Sequence, residues 1–186
     1  ADIAGLKQKE SYTKALHRIW ADITDTRMHI TGGLGAVHGI EGFGPQFLLP
    51  NADAFNETCA AVGNVLFNFR MFLAHKDAKY LDVAEVSLLN NVLAAVNLEG
   101  NKFFYVNPLE ADGKYPFNHG TMGRAPWFGT ACCPSNMARL LPQVQGMTYA
   151  HDEENLYLAM YAETSTKLKI AGTQLEISQT TKSVSY

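Results

Sequence analysis

Residues 56–97 read NETCAAVGNVLFNFRMFLAHKDAKYLDVAEVSLLNNVLAAVN. Val62, Val65, Leu66, Phe69, Phe72 and Leu73 recur at spacings of three and four, and charge is confined to the two ends of this first half. The pattern predicts a helix over about 57–74, with Asn56 placed to cap it by accepting from its first free N–H groups. HKDAK then turns the chain into a second helix over about 80–97, where Leu81, Val83, Val86, Leu88, Leu89, Val92 and Leu93 leave few polar positions. A hairpin this apolar must be buried on more than one face, so the region reads as mainly α.

Upstream, Leu6, Ala15, Leu16, Ile19, Trp20, Ile23 and Met28 predict one long amphipathic helix over about 6–30. Residues 31–56 then crowd Gly32, Gly33, Gly35, Gly39, Gly42, Gly44, Pro45 and Pro50 into a stretch that no helix would tolerate. A connection of this length in a compact domain points to function. Its TGGLG at 31–35 resembles a phosphate cradle only superficially, since no strand clearly precedes it and no Lys-Ser/Thr follows. Downstream, residues 98–131 are rich in aromatics and glycine, with a short strand expected in the run FFYVN. Pro134 and Ser135 are expected to open a helix reaching about Met147. After Asp152 the period becomes two, through Leu156, Leu158, Met160, Leu168, Ile170, Leu175 and Ile177. That predicts a β-domain of three strands, too few to hide its edges, and the chain reads as part of something larger.

The 186 residues are 47% hydrophobic and 18% charged, with a net charge of −3. This composition excludes disordered, collagen-like and disulfide-scaffold chains. With 18 carboxylates against 15 Lys and Arg and no basic cluster, no nucleic-acid partner is expected. No apolar run approaches a membrane span, and ADIAGLKQKESYTK at the start has no signal-peptide h-region, so no membrane partner is expected either. Cytoplasm and periplasm both remain open as locations.

Cys59, Cys132 and Cys133 fall at loop-to-helix junctions, where the helix N-terminus favours thiolate over thiol. Glu57 lies in the same turn as Cys59, and three thiolates with one carboxylate would make a four-coordinate zinc site. Buried packing of free cysteines and a vicinal disulfide or redox switch are the other readings of the same residues. Glu41, Asp53 and Glu57 sit in or beside the glycine loop, and a carboxyl group between Ile40 and Phe43 is expected to be desolvated, which would suit a general acid. Tyr105, Trp127 and Phe128 flank the path to Cys132 and offer stacking faces for a sugar, or form core. His38 and His119, in glycine-rich loops, are candidate ligand contacts, whereas His17, His29, His75 and His151 lack any metal-ligand spacing.

Taken together, TGGLG at 31–35, EGFGPQFLLPN at 41–51, NETCAAVGN at 56–64, FFYVNPL at 103–109 and ACCPSNMARLL at 131–141 resemble glycoside hydrolase family 127, the β-L-arabinofuranosidase family. Ile40-Glu41 stands where that family usually has Gly-Glu, and ACCPSN stands for ACCPPN. The resemblance implies a fold in which residues 1–150 are the second half of an (α/α)6 barrel and residues 151–186 the start of a β-sandwich domain. It implies a Zn2+ site of Glu57, Cys59, Cys132 and Cys133, with Cys132 as nucleophile and Glu41 as general acid/base. Tyr105 matches an active-site tyrosine, and His38 and Trp127 are taken with it as substrate-binding residues. The implied reaction is release of terminal β-L-arabinofuranosyl units from plant-derived glycans with retention. A related glycosidase for another sugar and a non-catalytic zinc- or carbohydrate-binding fragment are the alternatives. The implied partners are a carbohydrate and either the missing barrel half or further copies of the chain, without which the isolated chain is expected to be poorly active.

Overall fold

The computed structural model describes residues 1–182. Two compact units divide it, residues Ala1–Leu140 and the segment from Leu141 onward. The first is helical: α1 (Asp2–Lys7), α2 (Glu10–Thr26), α3 (Thr58–His75), α4 (Lys79–Ser87) and the start of α5 (Cys132–Val144). The second holds four short strands, β1 (Tyr149–His151), β2 (Leu156–Leu158), β3 (Thr164–Ile170) and β4 (Thr173–Gln179).

The expected hairpin is present. α3 and α4 bury Ala61, Val62, Val65, Met71, Phe72, Tyr80 and Ala84, and α3 ends where Lys76 turns left-handed at φ 57°. The second helix keeps its direction past Ser87 through a π turn at Leu88–Val92 and a 3-10 turn at Leu93–Ala95. Capping differs from expectation. Glu57, not Asn56, is the N-cap and no side chain caps α3, because the backbone does the work instead: Thr58 N donates to Tyr105 O at 3.0 Å. Asn56 stands outside the helix at φ 40°, fully buried.

The helix expected over 6–30 is two helices, broken where Gln8 adopts φ 49° and caps α1 through its N–H on Ala4 O. α2 ends at Thr26, because the chain then closes a tight turn in which Gly32 N donates to His29 O and His29 N to Gly33 O. A buried polar chain ties this loop to three helices. Trp20 Nε1 donates to Asn68 Oδ1 at 2.6 Å, Asn68 Nδ2 to Asn64 Oδ1 at 2.8 Å, Asn64 Nδ2 to Ser87 Oγ at 2.9 Å and Ser87 Oγ to Gly32 O at 3.2 Å. Gly32 is left-handed at φ 76°, and a Cβ there would lie 2.6 Å from Ser87 Cα and 2.7 Å from Ser87 N. Since the clash is with backbone, Gly32→Ala is expected to destabilise the protein by roughly 3 kcal/mol or more. A chemical denaturation midpoint equal to that of the parent would contradict this.

The run at 103–107 is not a strand. Phe103 bridges both Val96 and Ala125, and Val106 bridges Glu57, so successive residues pair with different segments. α5 begins at Cys132, two residues before Pro134, since proline is tolerated anywhere in a first turn where no N–H partner exists.

The three strands expected after Asp152 are present as β2, β3 and β4, and a further strand, β1, precedes them, so that the four pair as two separate antiparallel hairpins. β1 starts at Tyr149, opposite Leu158 of β2. β3 pairs Thr164 with Gln179 and Ile170 with Thr173 across a two-residue turn, in which Ala171 and Gly172 take φ 47° and 85°. In the β1–β2 turn, Asp152 accepts from the backbone of Glu154 and Asn155 and from the Tyr157 hydroxyl. The Tyr157 hydroxyl first, then those amides, hold the Asp152 carboxyl down at about 2. A depressed carboxyl contributes stability above its unfolded value of about 3.9 and loses it as pH falls through the folded value. The hairpin amides are therefore expected to lose hydrogen-exchange protection between about pH 4 and pH 2, together with the Asp152 carboxyl titration followed by NMR. An Asp152 midpoint at or above pH ~4 would sink this expectation.

Candidate metal and catalytic centre

Two helix N-termini meet at the site. Glu57 and Cys59 open α3, and Cys132 and Cys133 open α5. Behind them lies an aromatic core of Phe55, Tyr105, Val106, Phe117, Ala125 and Phe128, into which Cys133 is fully buried and against which Cys59 and Cys132 pack. Residues 103–106 form the seam between the helices. Thr58 Oγ1 donates to Phe104 O at 2.8 Å, and Asn107 Nδ2 donates to Thr58 Oγ1 at 2.8 Å and Asn56 O at 3.1 Å. Asn118, fully buried, accepts from Tyr105 N at 2.7 Å and donates to Phe103 O and Gly123 O. These bonds fix Tyr105, whose Oη lies 3.0 Å from Cys132 Sγ.

One donor atom from each of Glu57, Cys59, Cys132 and Cys133 falls within 4.8 Å of all the others. The Cys59 and Cys133 sulfurs are 3.2 Å apart, and Glu57 Oε1 is 3.5 Å from Cys132 Sγ and 3.6 Å from Cys133 Sγ. No disulfide is formed; all three cysteines are free. Asn136 Nδ2 donates to Cys59 Sγ at 3.2 Å. In a tetrahedral thiolate site with bonds of about 2.3 Å the donors stand roughly 3.8 Å apart, so this spacing suits a single ion.

The electrostatics agree. The Cys59 thiol is held below the ordinary thiol range, chiefly by its hydrogen bond with Cys133 and further by Asn136. Cys133 is pushed up by the same bond with Cys59 and by burial, and Cys132 chiefly by burial. Burial also raises Tyr105, keeping its hydroxyl protonated. Without a cation, then, the surroundings favour the thiolate most at Cys59 and disfavour it at Cys132 and Cys133. Three thiolates and a carboxylate at this separation require a positive ion among them. The donor set fits a metal.

The remaining sequence candidates lie outside the four-donor cluster. Glu41 occupies a left-handed position, φ 49°, on a turn closed by pairing of Val37 with Gly42. It lines a cleft of about 300 Å³ with Leu34, Gly35, Phe43 and Ala60. The expected desolvation is absent: Glu41 is exposed, because Ile40 and Phe43 are themselves 70% and 43% exposed and do not fold over it. His38 is half-buried, with Nε2 3.4 Å from Asp53 Oδ1 and its ring edge-on to Phe55 at 5.2 Å. Trp127 is 63% exposed. Asp53 lines a separate cleft of about 500 Å³ with Glu110, Asp112 and Tyr115, which none of the four clustered donors enters. Sequence reasoning assigned no role to Asn136, Asn107 or Asn118. The first two lie inside the ACCPSN and FFYVNPL motifs, which was the available signal, whereas Asn118 had none.

A family model described as the catalytic domain of GH127 β-L-arabinofuranosidase matches residues 1–146. The chain belongs to glycoside hydrolase family 127. The non-reducing end β-L-arabinofuranosidase of Bifidobacterium longum subsp. longum is 39% identical over 136 residues, covering 71% of this chain and 21% of that protein. A solved GH127 β-arabinofuranosidase superposes with a TM-score of 0.90 at 44% identity, over 97% of this chain and 27% of that one. A GH127 β-L-arabinofuranosidase from Geobacillus stearothermophilus T6 gives 0.89 at 35% identity, over 96% and 29%. The GH127 chain described here therefore spans between about a fifth and three-tenths of the length of these relatives.

Proposed function

We propose that the protein containing this chain is a retaining glycoside hydrolase that releases terminal β-L-arabinofuranosyl residues from plant-type glycans. The observation that carries this reading is Cys132, half-buried at a helix N-terminus, in contact with Tyr105 Oη and grouped with Glu57, Cys59 and Cys133 in a GH127 chain. Its named relatives are β-L-arabinofuranosidases. In the larger protein, residues 1–150 would complete an (α/α)6 barrel with the missing half, and residues 151–186 would begin a β-sandwich domain.

Glu57, Cys59, Cys132 and Cys133 would hold Zn2+. When bound, the ion supplies the positive charge that keeps the Cys132 thiol deprotonated and oriented. The Cys132 thiolate forms a bond to the anomeric carbon as the glycosidic C–O bond breaks, and Glu41 gives its proton to the leaving oxygen. Glu41 then takes a proton from water, the water oxygen bonds to the anomeric carbon, and the Cys132 thiolate departs. Two inversions give retention. Tyr105 Oη, kept protonated by burial, donates to the sulfur and steadies its position before attack and after departure. Tyr105, His38 and Trp127 would contact the sugar. A carbohydrate is the proposed partner, with no nucleic acid or membrane; among the described residues no helix is long and apolar enough to cross a bilayer.

The test uses the full-length protein. It is expected to hydrolyse an aryl β-L-arabinofuranoside with release of β-configured L-arabinose, seen in the first minutes by NMR. Release of the α anomer, or no turnover by zinc-loaded protein, would overturn the proposal.

A further inference from the structure

We propose that His119 is a substrate-binding residue that fixes a hydroxyl pair of the sugar beside Cys132; the proposal rests on the glycosidase reading above. Residues 118–121 form a tight turn in which Asn118 N donates to Thr121 O at 2.9 Å and Thr121 N to Asn118 O at 3.2 Å. Both central residues are left-handed, His119 at φ 49° and Gly120 at φ 90°. A turn of this kind selects Asn, Asp or Gly at its first central position, where a larger side chain is strained. Histidine is among the side chains that tolerate this conformation, so the turn permits His119 without requiring it. Strained positions of this sort gather at ligand sites, where surrounding structure holds them in place.

The surroundings do hold it. The Asn118 side chain accepts from Tyr105 N at 2.7 Å and donates to Gly123 O at 2.8 Å, locking the turn to the Tyr105 backbone. The imidazole then packs edge-on against the Tyr105 ring, with centroids 4.3 Å apart, and near Phe128 at 5.8 Å. Tyr105 and Phe128 are buried, but His119 is exposed, and among the described residues its ring nitrogens have no hydrogen-bond partner. A core histidine would have its nitrogens satisfied and its ring covered. His119 has neither.

Its position gives those nitrogens a use. The Tyr105 ring spans from the imidazole at one side to Cys132 Sγ at its hydroxyl. A sugar whose anomeric carbon rests at Cys132 Sγ would extend along the surface beside the buried Tyr105 toward the exposed His119. Neutral imidazole offers one donor and one acceptor, the complement of two adjacent hydroxyls, and because the turn is rigid little freedom is lost on binding.

The experiment compares His119→Asn, which suits the turn, with His119→Phe, which keeps the ring packing but cannot hydrogen-bond, both in the full-length protein. Both variants are expected to retain the parent metal content and melting temperature. Both are expected to lose about tenfold or more in kcat/KM on an aryl β-L-arabinofuranoside, mainly through KM. Full activity in His119→Phe would reduce His119 to a packing residue, and full activity in both variants would remove it from the site. A second readout is independent of turnover. Addition of L-arabinose should shift the imidazole signals that disappear in His119→Phe. If the parent protein turns over no arabinofuranoside yet these signals shift, the glycosidase reading fails and His119 remains a sugar contact; unshifted signals overturn the His119 proposal itself.

Discussion

Cys132→Ser in the full-length protein is expected to lower turnover on the order of 10⁴-fold or more while leaving the helices intact. The size of the effect follows from chemistry. A serine hydroxyl at the same place ionises far less readily than a thiol, and the serine oxygen must do its work where burial already raises the Cys132 thiol. The fold should survive because Cys132 is only half-buried and packs at the edge of the aromatic core. A mechanism-based sugar should label Cys132 in the parent and nothing in the variant, as read by peptide mass spectrometry. Label on Glu57, the carboxylate 3.5 Å from Cys132 Sγ, would mean a two-carboxylate mechanism and would overturn the assignment.

Cys133→Ala is expected to fail differently, by losing metal and stability together. Cys133 is fully buried, contacts both Cys59 and Glu57, and joins the core cluster, so it is a ligand candidate that no substrate can reach. Parent full-length protein should carry about one zinc per chain, and the variant close to none. Thermal unfolding of the variant should reflect a loss of roughly 3–5 kcal/mol, and a chelator should impose a similar loss on the parent but little on the variant. A parent protein whose melting temperature ignores chelation would show that the cluster holds no structural ion.

Much of this architecture is legible in the sequence where one segment decides its own structure. The α3–α4 hairpin is long and apolar, and its bounds fall within about two residues of expectation. Features that depend on distant partners are not legible. Asn56 reads as a cap because its type favours caps, but Tyr105 O, far along the chain, takes that amide. The break at Gln8 needs a left-handed glutamine, which no propensity foretells. Pro134 reads as the start of a helix, and a start two residues earlier satisfies the same rule. At the site, the four clustered donors are legible through motif resemblance, and the structure brings them together. Asn136 and Asn118 act on residues 77 and 13 positions away, so their use emerges only from the fold. Glu41 shows the opposite failure: its apolar sequence neighbours suggest shelter, and they point to solvent.

Cys59 and Cys133 touch although they lie 74 positions apart in the chain. Closing so long a loop is entropically unfavourable, and nothing local holds the ends together beforehand. On loop-closure grounds the donor cluster is therefore expected to form late. An ion held by Glu57, Cys59, Cys132 and Cys133 would act as a latch, closed once the hairpin and the aromatic seam have brought the two helix N-termini together. During synthesis Glu57 and Cys59 leave the ribosome well ahead of Cys132 and Cys133, so the four donors can be complete only after the start of α5 has emerged.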